Sequence, residues 1–190
     1  SEWLSLVGDV FGRYISGISG DYLFHSVPYY SMSEEDLELE EFNKLGEQAS
    51  QGCVRLAVSD AKWVYDNCPT GTNVSIYDDA ENAGPLGKPD AIKITDFTNK
   101  WDPTDSNKKC PYAKATPIIS GANDYTIKSG GEFYALAGVT AVDTCGNDIT
   151  SNIEVFGNVV TTRKGKYKVT YSVTDVLKRT SSVTITVTVQ

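Results

Sequence analysis

This sequence predicts a mainly β chain in two modules, and three observations carry that expectation. Residues 166–175 and 182–189 alternate polar and apolar side chains, as in Lys166-Tyr167-Lys168-Val169-Thr170-Tyr171 and Val183-Thr184-Ile185-Thr186-Val187. That is the period of strands with one buried face. Gly-containing turns at Ser129-Gly130-Gly131, Cys145-Gly146-Asn147-Asp148 and Lys164-Gly165-Lys166 punctuate the same region, which implies a small antiparallel sandwich. After Tyr77 the texture changes to the Asp-, Gly- and Pro-rich stretch 78–89, which has the composition of a connector. A chain of 190 residues with 40% hydrophobic content is long enough for two small cores. The boundary is expected between residues 109 and 110.

Within the first module, residues 31–41 carry Glu34, Glu35, Asp36, Glu38, Glu40 and Glu41, interrupted by Leu37 and Leu39. Such a run reads as a solvated surface loop or short helix, with a lid over a cleft as the functional alternative. Residues 57–67 place Val58, Ala61, Trp63, Val64 and Tyr65 at helical spacing. Ser59-Asp60 is the expected start and Pro69 the stop. Tyr22, Trp63 and Tyr65 have the spacing of core aromatics more than of a sugar-stacking patch. Residues 92–94, Ile-Lys-Ile, are expected to add a strand, and residues 98–115 return to polar composition with Pro103 and Pro111.

The chemistry concentrates at Ser50-Gln51-Gly52-Cys53-Val54-Arg55, downstream of His25, the chain's single histidine. A thiol is a poor nucleophile at neutral pH, and a neighbouring imidazolium keeps it as thiolate. Gly52 allows a tight turn that leaves the Gly52 and Cys53 amides to face a developing oxyanion. Arg55 is costly to bury unpaired, so it either fixes the cysteine loop through backbone carbonyls or meets a substrate carboxylate. Ser50, Gln51 and Tyr22 join Arg55 as candidate substrate contacts.

The remaining cysteines, Cys68, Cys110 and Cys145, lack paired C-x-x-C spacing, so a structural zinc site is not expected. Cys68 reads as a small buried hydrophobe, and Cys110 and Cys145 are a candidate bridge in an oxidising setting. Asp143, Asp148 and Asp175 read as turn aspartates bonding their own backbone in preference to a calcium site. A net charge of −8 and a pI near 4.6 argue against a nucleic-acid partner. Neither a P-loop nor a dinucleotide fingerprint is present, no cofactor or metal is expected, and the sequence shows no apolar leader and no membrane span.

The Ser-Gln-Gly-Cys-Val-Arg motif behind His25 resembles the signature of the L,D-transpeptidase (YkuD-type) catalytic domain: a histidine, a spacer, then Ser/Thr-His-Gly-Cys-hydrophobic-Arg/Asn. The likeness runs from residue 1 to about 78. Residues 21–28 look like the strand presenting the general base, 56–67 like the helix after the nucleophile, and 69–77 like the final turn and strand. Gln51 departs from the pattern, standing where most members carry a second histidine. The start at Ser1-Glu2-Trp3 looks like entry part-way into the catalytic fold, with its opening strands absent, as in a piece of a longer secreted protein. By the same resemblance residues 79–109 wrap back onto the first module. Residues 136–143, 147–150 and 165–175 are similar to a bacterial immunoglobulin-like surface repeat, expected to serve as a spacer or wall-facing adaptor.

The resemblance implies acyl transfer on peptidoglycan stem peptides at an extracellular, cell-wall or cell-surface site. Cys53 is the nucleophile, His25 the general base, and the Ser26 backbone carbonyl orients His25. Carbapenem-type compounds are implied as inhibitors. The competing expectation is a non-catalytic wall-binding or adhesion protein that keeps the fold. A papain-like protease is disfavoured, since the chain lacks that family's cysteine-first order and flanking residues.

Overall fold

The computed structural model describes residues 1–79, 81, 84 and 87–190, and the chain folds as two compact units, Ser1–Ala113 and Lys114–Gln190. The connector expected at residues 78–89 falls in part on positions 80, 82, 83, 85 and 86, which lie outside the described residues. Both units are built mainly from strands.

The first unit opens with a hairpin of β1 (Trp3–Leu6) and β2 (Val10–Arg13), paired from Trp3↔Arg13 to Leu6↔Val10. A three-stranded sheet follows. In it β3 (Ser16–Ser19) runs antiparallel to β4 (Tyr22–Ser26), and β4 runs parallel to β5 (Val54–Leu56). A parallel pair needs a long crossover, and residues 27–53 supply it, including the short helix α1 (Leu39–Phe42). The ten-residue helix α2 (Val58–Asn67) starts one residue after β5 and packs on β4 and β5.

The acidic segment ends in the expected short helix, α1, and is anchored to the core instead of being freely solvated. Leu37, Leu39 and Phe42 are buried with Val27, Tyr29, Ala57 and Ile94 in the core of this unit, because the apolar residues that interrupt the acids all face inward. The segment is also fastened. The Leu37 N–H donates to the Lys100 carbonyl at 2.9 Å, Lys100 pairs with Asp36 at 3.2 Å, and Glu34 meets both Arg13 and Asn107.

Two expected strands do not form. Residues 72–77 have no ladder partner, and Ile76 and Tyr77 stand exposed. Residues 92–94 are likewise outside any sheet, yet Ile94 is buried. The Asn43 side chain replaces the missing strand: its Oδ1 accepts from Ile94 N–H at 2.7 Å and its Nδ2 donates to the Ile94 carbonyl at 2.8 Å. Tyr22, Trp63 and Tyr65, read as core from spacing, are exposed at 55%, 61% and 41%. The inward face of α2 is taken by the smaller Val58 and Ala61 instead.

Helix α2 has no side-chain cap from its own N-terminal residues. The exposed first-turn donors of a helix need acceptors, and Asp102 reaches in from 44 residues downstream, accepting from Val58 N–H at 2.8 Å through Oδ2. Its Oδ1 takes the Thr104 N–H at 2.8 Å and the Thr104 hydroxyl at 2.6 Å. Asp102 is fully buried, and that desolvation outweighs these bonds and pushes its pKa up from 3.8 to about 6. The folded state therefore holds the Asp102 proton more tightly than the unfolded chain. The resulting stabilisation is complete below about pH 4 and is lost as pH rises through about 6. This gap corresponds to about 3 kcal/mol. The stability advantage of the native chain over Asp102→Asn, measured by urea unfolding, is expected to shrink between pH 4 and pH 7. A pH-independent or widening difference would contradict this assignment.

In the second unit β10 (Gly165–Thr174) and β11 (Thr180–Val189) form a ten-residue antiparallel hairpin, paired from Gly165↔Val189 to Thr174↔Thr180. The short β7 (Tyr125–Ile127) joins β11 in parallel, and β9 (Glu154–Phe156) joins β10 antiparallel. A separate pair, β6 (Ile118–Ser120) with β8 (Thr140–Val142), completes the unit. Alternation along the hairpin puts Val169, Tyr171, Val173, Ile185 and Val187 into a core with Val139, Ala141 and Ile153. Threonines dominate the outer face, where Thr170 meets Thr184 and Thr174 meets Thr180, each at 2.8 Å. Lys164-Gly165-Lys166 is not a turn, since Gly165 already begins β10.

Cys110 and Cys145 are both buried, one in each unit, and no disulfide joins them. The Asp143 carboxylate accepts from Cys145 and Asn147 N–H, Asp148 from Thr150 N–H, and Asp175 from Arg179 N–H. Among the described residues no group of three or more acidic, histidine or cysteine side chains is placed to hold a metal. No helix of these residues is long and apolar enough to cross a membrane.

Candidate active site

Parallel pairing of β4 with β5 brings the two halves of the site together. The register sets Phe24 opposite Val54, His25 opposite Arg55 and Ser26 opposite Leu56, so Cys53, at the entry to β5, arrives beside the strand that carries His25. Both line one cavity of about 450 Å3, together with Tyr22, Ser50, Gln51 and Arg55. Much of its remaining wall is apolar, from Leu4, Leu6, Val7 and Val10 of the β1–β2 hairpin together with Leu23, Pro28 and Ala49.

His25 is 3% exposed, and its Nδ1 lies 2.5 Å from the Ser26 carbonyl oxygen. A carbonyl only accepts, so this contact places the proton on Nδ1 and leaves Nε2 as the basic nitrogen. Burial lowers the imidazole pKa below its usual value, the Ser26 contact opposes that, and the Arg55 charge lowers it further. The ring is also wedged from behind. A Cβ on Gly12 would lie 3.2 Å from His25 Nδ1 and 3.0 Å from the Leu6 and Ile15 methyls, so the bare backbone of β2 is what lets the ring seat.

The loop leading into Cys53 is tied down by Ser50, whose hydroxyl donates to the Cys53 carbonyl at 2.5 Å and accepts from Gly52 N–H at 3.2 Å. The Gly52 amide is therefore engaged within the loop, not turned outward as its glycine suggested. Gly52 itself sits at φ +136, where a side chain is strained. A Cβ there would fall 2.4 Å from Tyr22 Cε1, so the Tyr22 ring closes over the loop backbone. The Cys53 Sγ faces the Asp21 carbonyl at 3.9 Å.

Arg55 meets a carboxylate in place of the loop carbonyls: its Nη1 donates to Glu41 Oε2 at 2.5 Å. Sequence reasoning missed Glu41, Gly12 and Asp21, which reach the site from other elements. None of them stands at a fixed offset from the cysteine motif, so spacing carried no signal for them.

Residues 9–76 match the YkuD family, the L,D-transpeptidase catalytic domain, and residues 117–189 match the Ig-like domain of bacterial surface proteins. The two matched stretches follow one another in the chain, the first a partial likeness to the L,D-transpeptidase catalytic domain and the second to the surface Ig-like domain. The chain is similar to the Bacillus subtilis (strain 168) protein named "Putative L,D-transpeptidase YciB", with 49% identity over 57 residues. That match covers 30% of this chain, and the chain spans 28% of the length of that relative. Among solved structures, the CBM51-2 and INT domains of ZmpB from Clostridium perfringens, in complex with GlcNAc, are 31% identical. They cover 39% of this chain and 16% of that one, with a TM-score of 0.36. A lipoprotein of Bacteroides thetaiotaomicron is 24% identical over 38% of this chain and 37% of that one, with a TM-score of 0.34. The transpeptidase family match ends at residue 76, whereas the unit containing it extends to Ala113 and takes Ile94, Asp102 and Asp105 into its buried interior.

Proposed function

We propose that the first unit is a peptidoglycan L,D-transpeptidase working through a Cys53 acyl-enzyme, at an extracellular cell-wall or cell-surface location. The observation that carries this is the seating of His25: Nδ1 fixed on the Ser26 carbonyl, Nε2 left basic, and the ring lining one cavity with Cys53. His25 takes the Cys53 proton, and the thiolate attacks the carbonyl between the diamino acid and the terminal D-alanine of a tetrapeptide stem. His25 then protonates the leaving D-alanine amine, and the carbonyl stays on sulfur as a thioester. The Cys53 N–H is the oxyanion donor, and the Gly52 N–H joins it once the oxyanion competes with the Ser50 hydroxyl. The amine of a second stem resolves the thioester into a cross-link. Tyr22 and Gln51 wall the donor stem, and the Ig-like unit holds the enzyme at the wall.

A non-catalytic wall-binding role is the second reading, favoured by Gln51 in the place of the family's second histidine and by the engaged Gly52 amide. Intact-protein mass after incubation with a carbapenem separates the two. A single adduct is expected that disappears in Cys53→Ala and forms far more slowly in His25→Ala. The absence of any adduct on folded, reduced protein would leave the wall-binding reading in its place.

A further inference from the structure

The two units divide the chain's charge unevenly. Ser1–Ala113 holds 9 of the 17 basic and 19 of the 25 acidic residues, a net of −10, which leaves 8 and 6, a net of +2, for Lys114–Gln190. Five of those eight cations gather at one end of the second unit. There β10 begins where β7 and β11 end, with Gly165 opposite Val189 and Val189 opposite Ile127. The segment before β10 is pinned to the turn after β7: Gly130 N–H donates to the Thr161 carbonyl at 2.8 Å and the Ser129 hydroxyl to the Thr162 carbonyl at 3.1 Å. Lys128, Arg163, Lys164, Lys166 and Lys168 therefore converge, and all five are exposed. Lys166 and Lys168 share the outer face of β10, roughly 7 Å apart along the strand. Among the described residues none of the five takes part in an ion pair, whereas six basic residues of the first unit do. The acids of the second unit are engaged elsewhere. Asp175 takes Arg179 N–H at the opposite turn of the hairpin, Glu132 takes the Tyr134 hydroxyl, and Glu154 lies further up the sheet, opposite Ser172. Asp124 stands near Lys168 in register, but its Oδ1 is taken by Thr186 N–H at 2.7 Å.

We infer that this basic end of the Ig-like unit docks a linear phosphodiester polymer of the cell wall. The proposal rests on the reading that the unit holds the enzyme at the wall, and it names what is held. Like charges set side by side without partners repel one another and are tolerated only under a screen of water and counterions. A polyanion laid along them releases those counterions, which is a favourable term. Four of the five cations are lysines, whose compact ammonium groups suit phosphate, whereas a planar carboxylate favours the arginine fork. Thr186 and Thr188, opposite Lys168 and Lys166 on the neighbouring strand, add hydroxyl donors to the same face. Such a surface reads charge and spacing more than the identity of any one sugar. A repeating polymer fits it better than a discrete ligand.

The test is co-sedimentation of the whole chain with insoluble cell walls of measured phosphate content, before and after cold hydrofluoric acid has cleaved their phosphodiesters and left glycan and stem peptides in place. Affinity is expected to fall at least about tenfold on the stripped walls, whose remaining charges are carboxylates. On intact walls it is expected to fall roughly fifty- to a hundredfold between about 50 and 200 mM salt, the counterion release of four or five phosphate contacts. Lys164→Gln/Lys166→Gln/Lys168→Gln is expected to weaken binding roughly thirtyfold and to flatten the salt dependence, and the same three residues changed to arginine to keep most of both. Melting temperature, expected to be equal in all three chains, reports that the fold is intact. Equal binding to stripped walls, or binding that the glutamine variant retains, overturns the phosphodiester partner and leaves the unit holding wall glycan or peptide. Tighter binding to anionic phospholipid vesicles than to intact walls overturns it in favour of a membrane surface. No binding of the unaltered chain to either wall preparation overturns the wall-holding reading, and this inference with it.

Discussion

His25→Gln is expected to slow acylation of Cys53 by about a thousandfold while the first unit stays folded. Glutamine fills most of the buried imidazole volume and its amide donates to the Ser26 carbonyl as Nδ1 does, so the packing against Gly12 survives. What it lacks is a group that titrates, and positioned acid–base catalysis typically contributes 10²–10⁴-fold. The pH dependence gives an independent reading. On the acyl-transfer reading neutral His25 is the working base, and burial together with the Arg55 charge holds its pKa below the usual value. The acid limb of the acylation profile should therefore fall below pH 6.5 in the native chain, and it should vanish in His25→Gln. Stopped-flow measurement of carbapenem acylation from pH 4.5 to 8 checks both points. A full rate in His25→Gln would remove His25 from the mechanism.

Arg13→Met carries the largest expected cost to stability, about 3–5 kcal/mol, the range for breaking a buried ion pair by removing one partner. Arg13 donates to Asp105 at 2.8 Å, with both side chains 5% exposed, and to Glu34 at 2.7 Å. It also lies over the rings of Trp3 and Tyr14 at 5.4 Å and 4.6 Å. One guanidinium thus joins the hairpin, the acidic segment and the tail. Removing it strands the Asp105 carboxylate without a counter-charge, so Arg13→Met/Asp105→Leu should recover much of the loss. Urea unfolding of the two single variants and the double variant measures the coupling. Additive losses would show that the pair is not what fastens the tail.

The parts of the fold that could be read from sequence are those whose stabilisation is local. The hairpin of β10 and β11 shows itself because Val169, Tyr171, Ile185 and Val187 alternate with threonines along uninterrupted strands. Helix α2 shows itself through Val58 and Ala61, but its start was misplaced at Ser59-Asp60, since the cap arrives from Asp102. Ile92 to Ile94 has strand composition, yet a single asparagine side chain satisfies the Ile94 backbone and no ladder is needed. Leu37 and Leu39 were hidden by the acids around them. At the site, Cys53, His25 and Gly52 stand out by residue type and spacing. Glu41, which fixes where Arg55 points, could not be found that way because it reaches the site through the crossover between β4 and β5.

That crossover also decides when the thiol gains its imidazole neighbour. Cys53 and His25 come to line one cavity only once residues 27–53 have packed Leu37, Leu39 and Phe42 and β5 has docked against β4, and parallel pairings at such separation are slow to form because loop closure must be met first. On the acyl-transfer reading, the cysteine–histidine pair is thus assembled by the finished topology, and no local stretch of the chain carries it.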